Sequence, residues 1–120
     1  MCFTVLPAVI SRMLSLKFKM KLIVKTHIKN GRTLITVCDK NILGNIYEEG
    51  DHILDLSSEF YKGDEMNEEE TSDLIRNADM VNLVGANAVK IGVDEDIIDE
   101  DSVKTIEGVP YAIGVLIEEE

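Results

Sequence analysis

Few side chains in this sequence can do covalent chemistry. Cys38, His27 and His52 could supply a nucleophile and a base, but catalysis of that kind also needs an orienting group. Cys38 ends an apolar run, where a free cysteine behaves as a small hydrophobe and its thiol stays protonated. His27 shares a strand face with Lys25 and Lys29, which predicts exposure, and only hairpin adjacency relates Cys38 to a histidine. Carboxylates gather at Asp94, Glu95, Asp96, Asp99, Glu100 and Asp101. A calcium loop of the EF-hand type needs glycine at position six and glutamate at position twelve. Counted from Asp94, those places hold Asp99 and Thr105, so the stretch reads as a solvated acidic loop. Gly85 stands alone before a helix. It could open backbone N–H groups to a phosphate or simply permit a tight turn. With no GxxxxGK[ST] and no second glycine, P-loop and Rossmann nucleotide binding are excluded by motif. The residues therefore imply no metal and no cofactor, and they lean away from an enzyme.

Charge is the stronger signal. The 120 residues carry 12 basic and 23 acidic side chains, a net charge of −11. Residues 1–44 hold eight of the basic residues and one acid, Asp39, a local +7, whereas residues 45–120 stand at −18. Such a split marks either two different faces or two halves that interleave and neutralise each other. Lys21, Lys25, Lys29, Arg32 and Lys40 lie on or beside one predicted hairpin, which could track a phosphate backbone. Two features oppose that reading: the hairpin strands carry no aromatic residue for base stacking, and the chain as a whole is acidic. The partners expected are RNA or a ribonucleoprotein on the basic hairpin, or a basic protein on the acidic surface. No apolar run reaches the ~18 to 20 residues of a bilayer span, so no membrane partner is expected.

The elements that position these residues follow from periodicity. Lys21–Ile28 and Arg32–Cys38 are β-branched runs flanking Asn30-Gly31, the strongest short-range hairpin signal. Alternation puts Leu22, Val24, Thr26 and Ile28 on one face, and Ile23, Lys25, His27 and Lys29 on the other. A brief extended piece at Asn45–Tyr47 and a short strand at His52–Leu56 follow, then a polar stretch anchored by Phe60-Tyr61. Asn67 with Glu70 predicts a capped helix whose Thr71, Leu74, Ile75 and Ala78 face the core. A second helix is predicted from Ala86 to about Asp94, frayed at its acidic end. Val103–Ile106 and Pro110–Ile117 close the chain as strands. The order predicts an α+β domain: a mostly antiparallel sheet opened by a β-hairpin, with two helices packed on one side.

Length fits one domain. Residues 20–117 read as that domain and 118–120 as an acidic tail. Residues 1–19 read as a doubtful extension: the apolar stretch Cys2–Ile10 precedes Arg12, Lys17 and Lys19, the reverse of a secretory signal. A translation start at Met20 would make the charge −14 over 101 residues.

From Met20 onward several strings resemble the archaeal family known as domain of unknown function 424. They are Cys38-Asp39 with Leu43-Gly44, Asn82-Leu83-Val84-Gly85 with Ala88-Val89, and Gly108-Val109-Pro110. The resemblance implies a cytoplasmic archaeal protein with an α+β fold and carries no established activity. The family's Gly-Val-Pro-His-Ala-Gln stands here with Tyr111 in place of the histidine, which weakens a catalytic role for that turn. The reading that follows is a non-enzymatic interaction module of RNA–protein machinery, with translation as the setting. Two alternatives remain: a small enzyme with a site near Cys38, Asn82–Gly85 and Gly108–Pro110, or an acidic protein-binding adaptor.

Overall fold

A computed structural model describes residues 21–116. The expectations for residues 1–19 and for the tail 118–120 lie outside the described residues.

Strands β1 (Leu22–Lys29) and β2 (Arg32–Asp39) form the expected antiparallel hairpin. Asn30 and Gly31 both take positive φ, 54° and 77°, as the tight turn between right-twisted strands demands. Strands β3 (Ile46–Glu49) and β4 (His52–Asp55) pair only with each other, as a separate small sheet. Then come β5 (Asp64–Met66), helix α1 (Glu68–Arg76), β6 (Met80–Val84), helix α2 (Ala86–Asp94), β7 (Lys104–Ile106) and β8 (Val109–Val115). The main sheet has six strands in the order β5-β1-β2-β6-β8-β7. Every pairing is antiparallel except β2 with β6. The fold is α+β, with both helices against one face.

The sequence-derived order needs two corrections. Met80–Val84, between the helices, had no assignment and is a central strand of the sheet. Its Val81, Leu83 and Val84 are all buried, so it reads as a short apolar run without the alternation that betrays a half-exposed strand. Asp64–Met66 is an acidic segment that becomes the edge strand β5 by pairing with Leu22–Val24.

The core lies between the sheet and the helices. Leu22, Val24, Ile35, Val37, Val81, Leu83 and Ala112 project from the strands to meet Ile75 of α1, Ala78 just beyond its end, and Ala88, Val89 and Ile91 of α2. The α1 capping box is complete: Asn67 Oδ1 accepts from Glu70 N–H at 2.8 Å, and Glu70 Oε1 accepts from Asn67 N–H at 3.2 Å. At the acidic end of α2, Asp94 pairs with Lys90 and Glu95 with Arg76, so each carboxylate meets a cation instead of an unbalanced dipole end. A second cluster holds Cys38, Leu54, Leu56, Val84 and Ile106 under the β3–β4 hairpin.

Candidate functional site

The face of the sheet opposite the helices is built by strand alternation and register. Lys29 pairs with Arg32 at the hairpin end. One step along, His27, Leu34, Met80 and Val115 stand side by side on β1, β2, β6 and β8. The next row is Lys25, Thr36, Asn82 and Ile113, and the next is Ile23, Cys38, Val84 and Tyr111. The β3–β4 hairpin covers the Cys38 end of this face. The Leu34 end stays open, with Ile113 64% and Val115 58% exposed.

A short strap, the 3-10 turn Glu59–Tyr61, crosses the face over β1 and β2. Four strand side chains hold it. Lys25 Nζ donates to the Glu59 carbonyl at 2.9 Å. The Phe60 carbonyl lies 3.1 Å from His27 Nε2 and 3.3 Å from Thr36 Oγ1. A carbonyl only accepts, so His27 must carry its proton on Nε2. Asn82 Nδ2 donates to the Tyr61 hydroxyl at 3.3 Å, which satisfies an amide placed mid-strand. Burial pushes the Tyr61 hydroxyl above its ordinary pKa, and the Asn82 bond works against that rise.

Holding the strap also lays the Phe60 ring on the imidazole of His27, with centroids 4.4 Å apart and planes 19° from parallel. His27 is therefore half-buried beneath a ring instead of standing free on the strand. Beside this stack runs a cleft of about 790 Å³ whose lining includes Leu34, Met80, Lys29 and Arg32. The sequence showed Phe60 only as an apolar anchor in a polar stretch, and it gave no sign of Met80. Phe60 supplies the aromatic surface that the hairpin strands lack.

The five basic residues singled out from the sequence do not form one footprint. Lys29 and Arg32 stand together at the cleft and make no ion pair among the described residues. Lys25 is committed to the strap. Lys21 and Lys40 lie at the far end of the strands, where Lys40 N–H donates to the Lys21 carbonyl and Lys40 Nζ pairs with Glu65 at 2.5 Å.

The family-like residues occupy structural positions. Asp39, buried at the end of β2, accepts N–H bonds from Asn87 and Ala88 at the start of α2. Burial raises its carboxyl pKa, and the two N–H donors oppose the rise. Gly85 precedes α2 with φ 106°, and its N–H donates to the Pro110 carbonyl at 2.8 Å. A β-carbon there would lie 2.7 Å from both Asp39 carboxylate oxygens. The anion place at the α2 terminus is thus taken by the chain's own carboxylate. Gly44 donates its N–H to the Leu56 carbonyl, tying the β3–β4 hairpin in place. Gly108 makes the β7–β8 turn, and Pro110 sits opposite Thr105 at the start of β8.

Cys38 and Tyr111 do share a row, with Val84 between them, and Asn82 is in the row beside it. Cys38 is nevertheless fully buried, and its thiol is pushed up to about 12, by desolvation first and then by the charge of Asp39. Its Sγ donates to the Asp39 carbonyl at 3.5 Å, and the row separating it from His27 holds Lys25 and Thr36. At neutral pH the group offers packing instead of a thiolate. Among the described residues no cluster of three or more His, Cys, Asp or Glu side chains could hold a metal ion, and no helix is long and apolar enough to cross a membrane.

Comparison with known proteins agrees with this architecture. An uncharacterized conserved protein from Methanopyrus kandleri has a similar crystal structure, with a TM-score of 0.73 and 23% identity over 83% of this chain and 95% of that one. At that identity the likeness speaks for the fold. No match was found among curated proteins. The model of a family described as protein of unknown function (DUF424) matches residues 26–117, which include every strand and helix named above except the first four residues of β1, and the chain therefore belongs to that family.

Proposed function

We propose that this protein is a non-enzymatic interaction module that docks on RNA within RNA–protein machinery, using the hairpin end of its open sheet face. One observation carries the reading: in a chain of net charge −11, the cleft is lined by two cations, Lys29 and Arg32, and by no carboxylate. Local potential near a surface depends on which charges line it, and a cleft with low-dielectric walls concentrates that potential. The acidic remainder repels nonspecific polyanions and leaves the cleft as the favourable approach. Lys25 is excluded from the contact set because it holds the strap, and Lys40 because it pairs with Glu65.

The test is retention of RNA from native cytosol on the immobilised chain, followed over a salt titration. The wild-type chain retains RNA at low salt and releases it as salt rises. The double variant Lys29→Glu/Arg32→Glu loses retention, and Lys21→Glu keeps it. Each phosphate contact on a single strand contributes about 0.7 to the slope of log K against log salt, so neutralising both cations lowers that slope by about 1.4. Absence of RNA at low salt, or retention that survives the double variant, overturns the proposal.

A further inference from the structure

We infer that the cleft recognises an unpaired nucleobase, so that the RNA bound there is single-stranded; this rests on the RNA-docking reading above and specifies its ligand. Three features of the cleft point the same way. The first is an aromatic platform: the Phe60 ring, stacked on His27, borders the cleft and is fixed by bonds to its own backbone carbonyl. A ring already ordered by the fold loses little freedom when a base stacks on it. The second is an apolar floor, Leu34 and Met80, adjacent on β2 and β6, which suits the flat face of a base and offers nothing to a phosphate.

The third is spacing. Lys29 and Arg32 are two residues beyond His27 and Leu34 on their strands and on the same face, a step of about 7 Å. That step is comparable to the reach from a nucleotide's base to its own phosphate. A base on the Leu34–Met80 floor against Phe60 would therefore place its phosphate between the two cations. A duplex cannot use this arrangement, because its bases are stacked on each other and closed to a side-chain platform. The volume, about 790 Å³, lies within the range of ligand clefts and admits a nucleotide.

The chain contains no tryptophan, which supplies the readout. Phe60→Trp places a single indole in the platform. Four ligands of equal length or charge are compared at low salt: a mixed-sequence single-stranded RNA, its duplex, an abasic strand with the same phosphates, and an acidic peptide. The expected result is quenching of the indole by the single strand and not by the abasic strand. With the wild-type chain, binding of the single strand should be about tenfold tighter than that of the abasic strand or the duplex. Because Phe60 also holds the strap, a second variant leaves the platform intact: Met80→Glu puts a carboxylate on the floor and should abolish the preference for bases. Equal affinity for single strand, abasic strand and duplex overturns the inference and leaves the electrostatic docking standing. An acidic peptide that binds as tightly as the single strand overturns both the inference and the docking proposal. Failure to bind any nucleic acid at low salt removes both.

Discussion

The carboxylate of Asp39 caps a helix to which it does not belong: it accepts the N–H groups of Asn87 and Ala88 at 3.0 and 2.9 Å, in place of a side-chain cap that Gly85 cannot supply. Strand β2 and helix α2 are thereby joined by one buried side chain, 48 and 49 residues distant in sequence from the amides it satisfies. The pairing gives a physical reason for Cys38-Asp39 and Val84-Gly85 to occur together, since each glycine or aspartate is useful only with the other.

Asp39→Ala should lower stability by about 2 to 3 kcal/mol, because two helix N–H groups lose a charged acceptor inside the fold. Asp39→Asn, which keeps one acceptor oxygen, should cost less. Gly85→Ala should cost about 3 kcal/mol or more, from positive φ and from collision with the Asp39 carboxylate. Urea unfolding of the three variants gives the ranking, and a neutral Gly85→Ala would remove the argument.

The pH dependence of Asp39 has an unusual sign for a carboxylate. Its pKa is raised in the fold, so between the ordinary value of 3.8 and the raised one the native state binds more protons than the unfolded chain. Its contribution is therefore fully present below 3.8 and declines as pH rises through the native pKa. The stability difference between wild type and Asp39→Asn should shrink across that acidic window and then level off. Unfolding free energies of both chains, measured from strongly acidic to neutral pH, report it; a difference that grows with pH would contradict the assignment.

Cys38 should be inert toward thiol reagents while the protein is folded. With the thiol at about 12, its thiolate fraction near neutral pH is more than about a thousandfold below that of a free cysteine. In a Cys2→Ser background, labelling should follow the unfolding transition in urea. Rapid stoichiometric labelling of the folded chain would show that the thiol is accessible.

Asn82 and Tyr61 should be energetically coupled. Removing either leaves the other without its partner in a half-buried place, at about 1 kcal/mol each. The double variant Asn82→Ala/Tyr61→Phe should cost less than the sum of the singles, by about 0.5 kcal/mol or more. Additive costs would mean the bond does no work.

How much of this was legible beforehand depended on whether the signal was local. The β1–β2 hairpin, its two faces and both helices could be read directly, because Asn30-Gly31, the Asn67–Glu70 box and the spacing of Thr71, Leu74, Ile75 and Ala78 act over a few residues. Strand β6 was not legible, because only Val81, Leu83 and Val84 are buried, Met80 puts an apolar side chain on the open face, and an asparagine interrupts the short apolar run. Strand β5 is a strand only because β1 offers it an edge. Among the site residues, Lys29 and Arg32 were visible as charges. Their separation from Lys21 and Lys40 required the register, and the meeting of Phe60 with His27 required the strap. No spacing rule links positions 33 residues apart.

The parallel seating of β6 on β2 has a kinetic consequence. Hairpins such as β1–β2 and β7–β8 close locally, within about 1 to 10 μs. Strand β6 joins them only after a loop as long as the one between Thr33 and Asp79, 46 residues, has been closed. Until then the β1–β2 hairpin has an uncovered long edge and the β7–β8 hairpin has no connection to the rest of the sheet. The slow, rate-setting event in folding should be the docking of the Asp79–Val84 segment. Substitutions on β6 should therefore retard folding, whereas substitutions in the strap should mainly hasten unfolding.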